Sequence, residues 1–102
     1  MSGYYGKRSR YLLFASKFKE AEQSAKIGLA IVPANILIQT NLAHSLLFQG
    51  NYEEALKVYQ ELKLLKDANG KSYAAICMED LDELEKNGVF NKDVKKIRAF
   101  LK

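Results

Sequence analysis

The residues able to do chemistry in this chain are few. His44 is the only histidine and Cys77 the only cysteine, and five carboxylates crowd the stretch from Glu79 to Glu85: Glu79, Asp80, Asp82, Glu83 and Glu85. A zinc site draws three or four ligands into one place. No second histidine or acid stands at ligand spacing from His44, so no metal is expected. Ser45 follows His44, but neighbouring residues on a helix point about 100° apart and do not form a nucleophile–base pair. There is no G-x-S-x-G elbow. Cys77 falls on an apolar stripe and reads as a small buried hydrophobe. The five acids fit a solvated helix face better than an acid–base pair. The expectation is a chain without catalytic residues or cofactors, and not an enzyme.

The elements that carry these residues show an internal period. Leu12-Leu13-Phe14 recurs as Leu46-Leu47-Phe48 at an offset of 34, and at the same offset Phe18 meets Tyr52, Glu20 meets Glu54 and Ala21 meets Ala55. Leu42, Ala43, Leu46 and Leu47 form the apolar stripe of an amphipathic helix. Gly50-Asn51 ends it, and Ala55, Leu56, Tyr59 and Leu62 begin another at helical spacing. Pro33 separates the first unit from the second. After the loop signal Asp67-Ala68-Asn69-Gly70, the residues Tyr73, Ile76, Cys77, Leu81 and Leu84 share one face. Asn87-Gly88 breaks that helix. Asn91 is the expected N-cap of a last helix whose Val94, Ile97, Phe100 and Leu101 turn inward. The predicted architecture is all-α, one domain of three antiparallel helix pairs over about 3–34, 35–68 and 71–102.

A period of 34 residues and the pattern W-x2-L-G-x2-Y, then A-x3-F, then P, mark tetratricopeptide units. Here the second unit reads Gln39-x2-Leu42-Ala43-x2-Leu46, then Gly50-Asn51-Tyr52-Glu53-Glu54-Ala55 and Ala55-x3-Tyr59, and Pro33 stands at the closing position of the first. The sequence therefore resembles the tetratricopeptide repeat (TPR) family, as a bacterial-type TPR domain, over about residues 3–67. It departs from the pattern where the signature Trp is missing from both units, where Arg8 replaces a Leu, and where Asp67 replaces the second Pro. The resemblance implies a short right-handed α-solenoid with a concave groove lined by the first helix of each pair. Carried over position by position, the groove residues are Lys7, Arg10, Leu13, Phe14, Asn41, His44, Leu47 and Phe48. Thr40 joins them from the second unit, and Lys71, Ala74, Ala75 and Met78 from the third. Asn41 and Lys71 match two positions of the clamp with which some family members hold a C-terminal carboxylate. Gly6, Arg10 and Ala75 do not match the rest, so no such clamp is expected.

Composition bounds the alternatives. The chain has 102 residues, 16 Lys+Arg against 12 Asp+Glu and a net charge of +4, within the size of a single core. The uncharged stretch from Ile27 to Asn51 contains Pro33, Asn35, Gln39, Asn41, His44 and Gln49, too polar for a membrane span. No secretory leader is expected from the first residues, and a lone cysteine fits a reducing, cytoplasmic setting. Basic residues gather at both ends, Lys7 to Lys19 and Lys92 to Lys102. The acids between them interrupt any phosphate-binding track, so nucleic acid is not an expected partner. The function expected is a protein–protein interaction module or scaffold that grips an extended peptide in its groove. The alternative is a structural or oligomerisation spacer, or a regulatory domain of a larger protein. Weak self-association is expected from the two ends, Tyr4, Tyr5 and Tyr11 at one and Val94, Ile97, Phe100 and Leu101 at the other.

Overall fold

The computed structural model describes the backbone of residues 2–102 and the side chains of residues 3–102. The chain forms α1 (Ser2–Phe14), α2 (Phe18–Ile31), α3 (Ile36–Phe48), α4 (Tyr52–Lys63), α5 (Tyr73–Lys86) and α6 (Val94–Leu101). The fold is all-α. Among the described residues the only β-type pairing is an isolated bridge between Lys66 and Ser72, at the neck of the loop before α5.

The turns repeat along with the sequence. At the end of α3 the Gly50 N–H donates to the Leu47 carbonyl at 3.0 Å and the Asn51 N–H reaches back to Leu46 at 3.0 Å. At the end of α1 the Ser16 N–H donates to Leu13 at 3.0 Å and Lys17 to Leu12 at 2.8 Å. Both are the hydrogen-bond pattern of a Schellman C-cap, which needs one residue in the left-handed region. Gly50 fills that place at φ 88°, whereas Ser16 fills the equivalent one at φ 61° with a side chain attached. Helix starts differ more. Asn35 caps α3 by accepting from the Ile38 N–H, and Ser72 caps α5 by accepting from Ala74. Asn91 does not cap α6 as its sequence position implied. Its side chain accepts from the Asp93 N–H at 2.8 Å, holding a tight turn, and the helix begins only after Asp93.

Consecutive helices joined by these short turns pack against each other, α1 on α2, α2 on α3, and α3 on α4, with α1 also touching α3. Small side chains permit this: Ala21, Ala25, Ala43 and Ala55 are fully buried. At Gly28 a Cβ would lie 2.8 Å from Ile38 Cδ1 and 3.2 Å from Tyr5 Cβ, so α1, α2 and α3 converge there on bare backbone. A single core runs from Leu13 and Leu47 through Tyr59 and Leu62 to Leu81, Leu84 and Ile97.

The last pair is fastened differently. The five carboxylates of α5, expected on a solvated face, all make ion pairs: Glu79 with Lys71, Asp80 and Glu83 with Arg10, and Asp82 and Glu85 with Arg98. Exposed pairs of this kind contribute little singly. Their placement nevertheless clips α6 to α5 through Arg98 and α1 to α5 through Arg10. Lys63 adds a tie from α4, donating to the Phe100 carbonyl at 2.7 Å with its ammonium 4.6 Å from the Phe100 ring centre. Val94, Ile97 and Leu101 are buried and Phe100 half-buried, so at one of the two ends expected to self-associate these four side chains are turned inward. The opposite end stays open, with Tyr4 60% and Tyr11 72% exposed.

Candidate functional site

Helical spacing sets the inner edge of each first helix. On α1 the positions Gly3, Gly6, Lys7 and Arg10 succeed one another by about a turn, on α3 Leu37, Ile38, Thr40 and Asn41, and on α5 Ile76 and Asp80. Together with Asn35 these edges enclose a cleft of about 400 Å³ between α1, α3 and α5. Leu37 stands 58% exposed at its rim. Glycine at 3 leaves the wall open, since a Cβ there would meet nothing within 4 Å. Lys7 is exposed and makes no ion pair with any described residue.

Two polar bridges lie along one side of this cleft. In the first, the Asn41 amide nitrogen donates to the Gly6 carbonyl at 3.2 Å and to Ser9 Oγ at 3.0 Å, joining α3 to α1. In the second, one turn further along α3, His44 lies with no exposed surface between α4 and α5. Its Nδ1 is 2.7 Å from the Tyr59 hydroxyl and its Nε2 3.1 Å from Asp80 Oδ2. A carboxylate only accepts, so Nε2 carries the proton and donates to Asp80; in the neutral ring Nδ1 accepts from the Tyr59 hydroxyl. The other Asp80 oxygen accepts from Arg10 at 3.1 Å, and Arg10 also donates to Glu83 at 3.2 Å. The guanidinium rests over the Phe14 ring, 5.2 Å from its centre.

Electrostatics follow from this arrangement. Burial alone would raise the Asp80 carboxyl, but the hydrogen bonds it accepts from His44 and Arg10, with the positive charge of Arg10, outweigh that and hold the group below its ordinary value. Burial lifts the Tyr59 hydroxyl well above the usual phenol range, with Cys77 and Asp80 adding to the effect. It also pushes the Cys77 thiol up to about 12, with Asp80 adding to the rise, so at neutral pH that sulfur is an unreactive thiol. Both nitrogens of His44 are engaged by protein groups, leaving none for a substrate. Among the described residues no three His, Cys, Asp or Glu side chains gather as a metal site.

The eight groove positions expected from sequence therefore part company. Lys7, Arg10 and Asn41 line the cleft. Phe14 is half-buried beneath Arg10. Leu13, His44, Leu47 and Phe48 are buried, and Phe18 of α2 covers Phe48 by stacking on it at 5.3 Å. They offer no surface to a ligand: Leu47 and Phe48 join the core because α3 is packed on both flanks, and Leu13 turns into the same core from α1. Arg10, expected as a free donor, is held by Asp80 and Glu83. The residues that sequence reasoning missed are Asp80, Tyr59, Ser9, Leu37 and Ile76. Asp80 carried a signal: it follows Tyr73 and Cys77 on their inward stripe, a place where an acid must find a partner. No family model, curated protein or solved structure matches this chain.

Proposed function

We propose that this protein is a protein–protein interaction module, its helix pairs stacked as tetratricopeptide-type units, and that the cleft between α1, α3 and α5 holds an extended segment of a partner. The observation that carries this reading is the composition of the cleft. Leu37, Ile38 and Ile76 give it apolar walls, Gly3 and Gly6 give it room, and Lys7 supplies a cation that makes no ion pair with any described residue. Arg10 and Asn41 are already engaged, so they shape the cleft rather than grip the guest. The guest that suits it carries an apolar side chain for the wall at Leu37 and a carboxylate for Lys7.

With one exposed ion pair and a small apolar contact, affinity should be micromolar, about −8 kcal/mol, and should weaken as salt rises. The test is an NMR titration with acidic peptides selected from an array, repeated with Leu37→Asp and Lys7→Glu. Both residues are exposed, so both variants should stay folded. Either substitution should lower affinity at least about tenfold, a 1.4 kcal/mol difference. Shifts that map away from α1, α3 and α5, or binding that both substitutions leave intact, would refute the assignment.

A further inference from the structure

The internal repeat compares two faces of one molecule, one covered and one bare. On α3 the stripe Ile38, Leu42, Ser45 and Gln49 runs along α2. Its first member lies against Gly28, where a Cβ would be 2.8 Å from Ile38, and its last donates from Nε2 to Glu22 Oε1 at 2.8 Å. Ile38 and Ser45 are buried and Leu42 and Gln49 half-buried. Moved back by the 34-residue period, the same stripe on α1 is Tyr4, Arg8, Tyr11 and Ala15, and all four are exposed. Arg8 has no ion-pair partner among the described residues. The last helix differs: α6 buries Val94, Ile97 and Leu101 and presents Lys95 and Lys96 to solvent, although Phe90 just before it is exposed.

We infer that the bare face of α1 is a docking surface for a partner's amphipathic helix, seated antiparallel to α1 as α2 is seated on α3. Continuity with that internal interface defines the guest. It needs glycine or alanine opposite Tyr4, as α2 offers Gly28 to Ile38. It also needs a carboxylate near Arg8, because Arg8 stands where α3 has the apolar Leu42. Tyrosine suits a face of this kind, giving a large apolar contact while its hydroxyl stays hydrated. The surface is separate from the cleft, whose α1 wall is Gly3, Gly6, Lys7 and Arg10.

The protein's own α2 supplies the probe. A copy of residues 17–34 fused directly before residue 1 keeps the 34-residue register and places a helix where α2 would stand relative to α3. The fusion should melt at least about 5 °C higher than the parent, and Tyr4 and Tyr11, mapped by mass spectrometry after nitration, should lose their reactivity. Tyr4→Arg in the fusion should abolish both effects. Arg8→Leu in the fusion should raise the melting temperature further, since the copied helix meets a leucine there in α3. The same peptide added in trans to the unmodified chain should protect the same two tyrosines. Tyrosines that stay reactive in both formats would overturn the inference, as would an unchanged melting temperature of the fusion. No gain from Arg8→Leu would overturn the demand for a carboxylate. Protection that grows with concentration in the unmodified chain alone would show that a second copy, not a partner helix, covers this face, and would overturn it as well.

Discussion

Replacing His44 by alanine tests whether the buried bridge organises the molecule. The imidazole has no exposed surface, and each of its nitrogens serves one partner. Its removal leaves the Tyr59 hydroxyl, itself fully buried, without an acceptor, which costs about 1–3 kcal/mol. Asp80 keeps Arg10 and retains 12% side-chain exposure, so its loss is smaller, about 1 kcal/mol. The void left by the ring adds about 1–2 kcal/mol, toward the low end for large-to-small core changes because two polar neighbours can draw in water. The expected total is about 4 kcal/mol, a large fraction of the 5–15 kcal/mol typical of a whole domain. Tyr59→Phe keeps the ring and orphans only Nδ1, so about 1–3 kcal/mol should suffice for it. Urea titrations followed by far-UV circular dichroism, with wild type and both variants analysed at a common slope, give the differences directly. A loss below about 1 kcal/mol for His44→Ala would refute the reasoning, because a side chain so placed cannot be removed cheaply unless the bridge is not formed.

Two further outcomes follow from single positions. Ser16→Gly should stabilise by about 1 kcal/mol and Gly50→Ser destabilise by a similar amount, since the two residues hold the same left-handed place in successive turns; melts that move the two variants in the same direction would contradict the shared turn geometry. Asp80, held below its ordinary value of 3.8, contributes stability that is complete above the usual carboxylate range and drains away as pH falls through its depressed folded-state value. The stability gap between wild type and Asp80→Asn should therefore be widest near neutrality and narrow below about pH 4, and a gap that stays constant down to pH 2 would show that the carboxylate is not charged in its pocket.

The fold was legible in the sequence where local chemistry decides it. Gly50-Asn51, Pro33 and Asn87-Gly88 mark helix ends because few residues tolerate the backbone those ends require, and the apolar stripes between them have a helical period. Asn91 misled because an Asx side chain can hold a turn as readily as a helix start, and local spacing does not distinguish the two. The site was less legible, for a reason visible in α3. A helix packed on both flanks buries positions that would face a groove on a helix packed on one, so Leu47, Phe48 and His44 became interior while Lys7 and Asn41 reached the cleft. The stripe of Tyr73 and Cys77 points to Asp80 as the acid that turns inward, but local spacing does not show what meets it there. Asp80 and Leu81 flank the same inward direction, and only the arrival of Arg10 from 70 residues away settles that the acid is satisfied there.

The two polar bridges and the cleft belong to one arrangement. Asn41 fixes α3 to α1 through Gly6 and Ser9, and His44, one turn on, fixes α3 to α4 and α5 through Tyr59 and Asp80. Arg10 then closes the loop by joining α5 to α1. The three helices that wall the cleft are thus tied pairwise by directional contacts rather than by apolar packing alone, which tolerates sliding. A cleft held this way loses little freedom when a guest enters, and that saving matters most when the guest makes only a few exposed contacts. The same loop explains the division of labour among the cations. Arg10, with a planar fork able to serve two carboxylates, is committed to structure, whereas Lys7, one turn earlier, makes no ion pair with any described residue and leaves its charge open to the proposed guest.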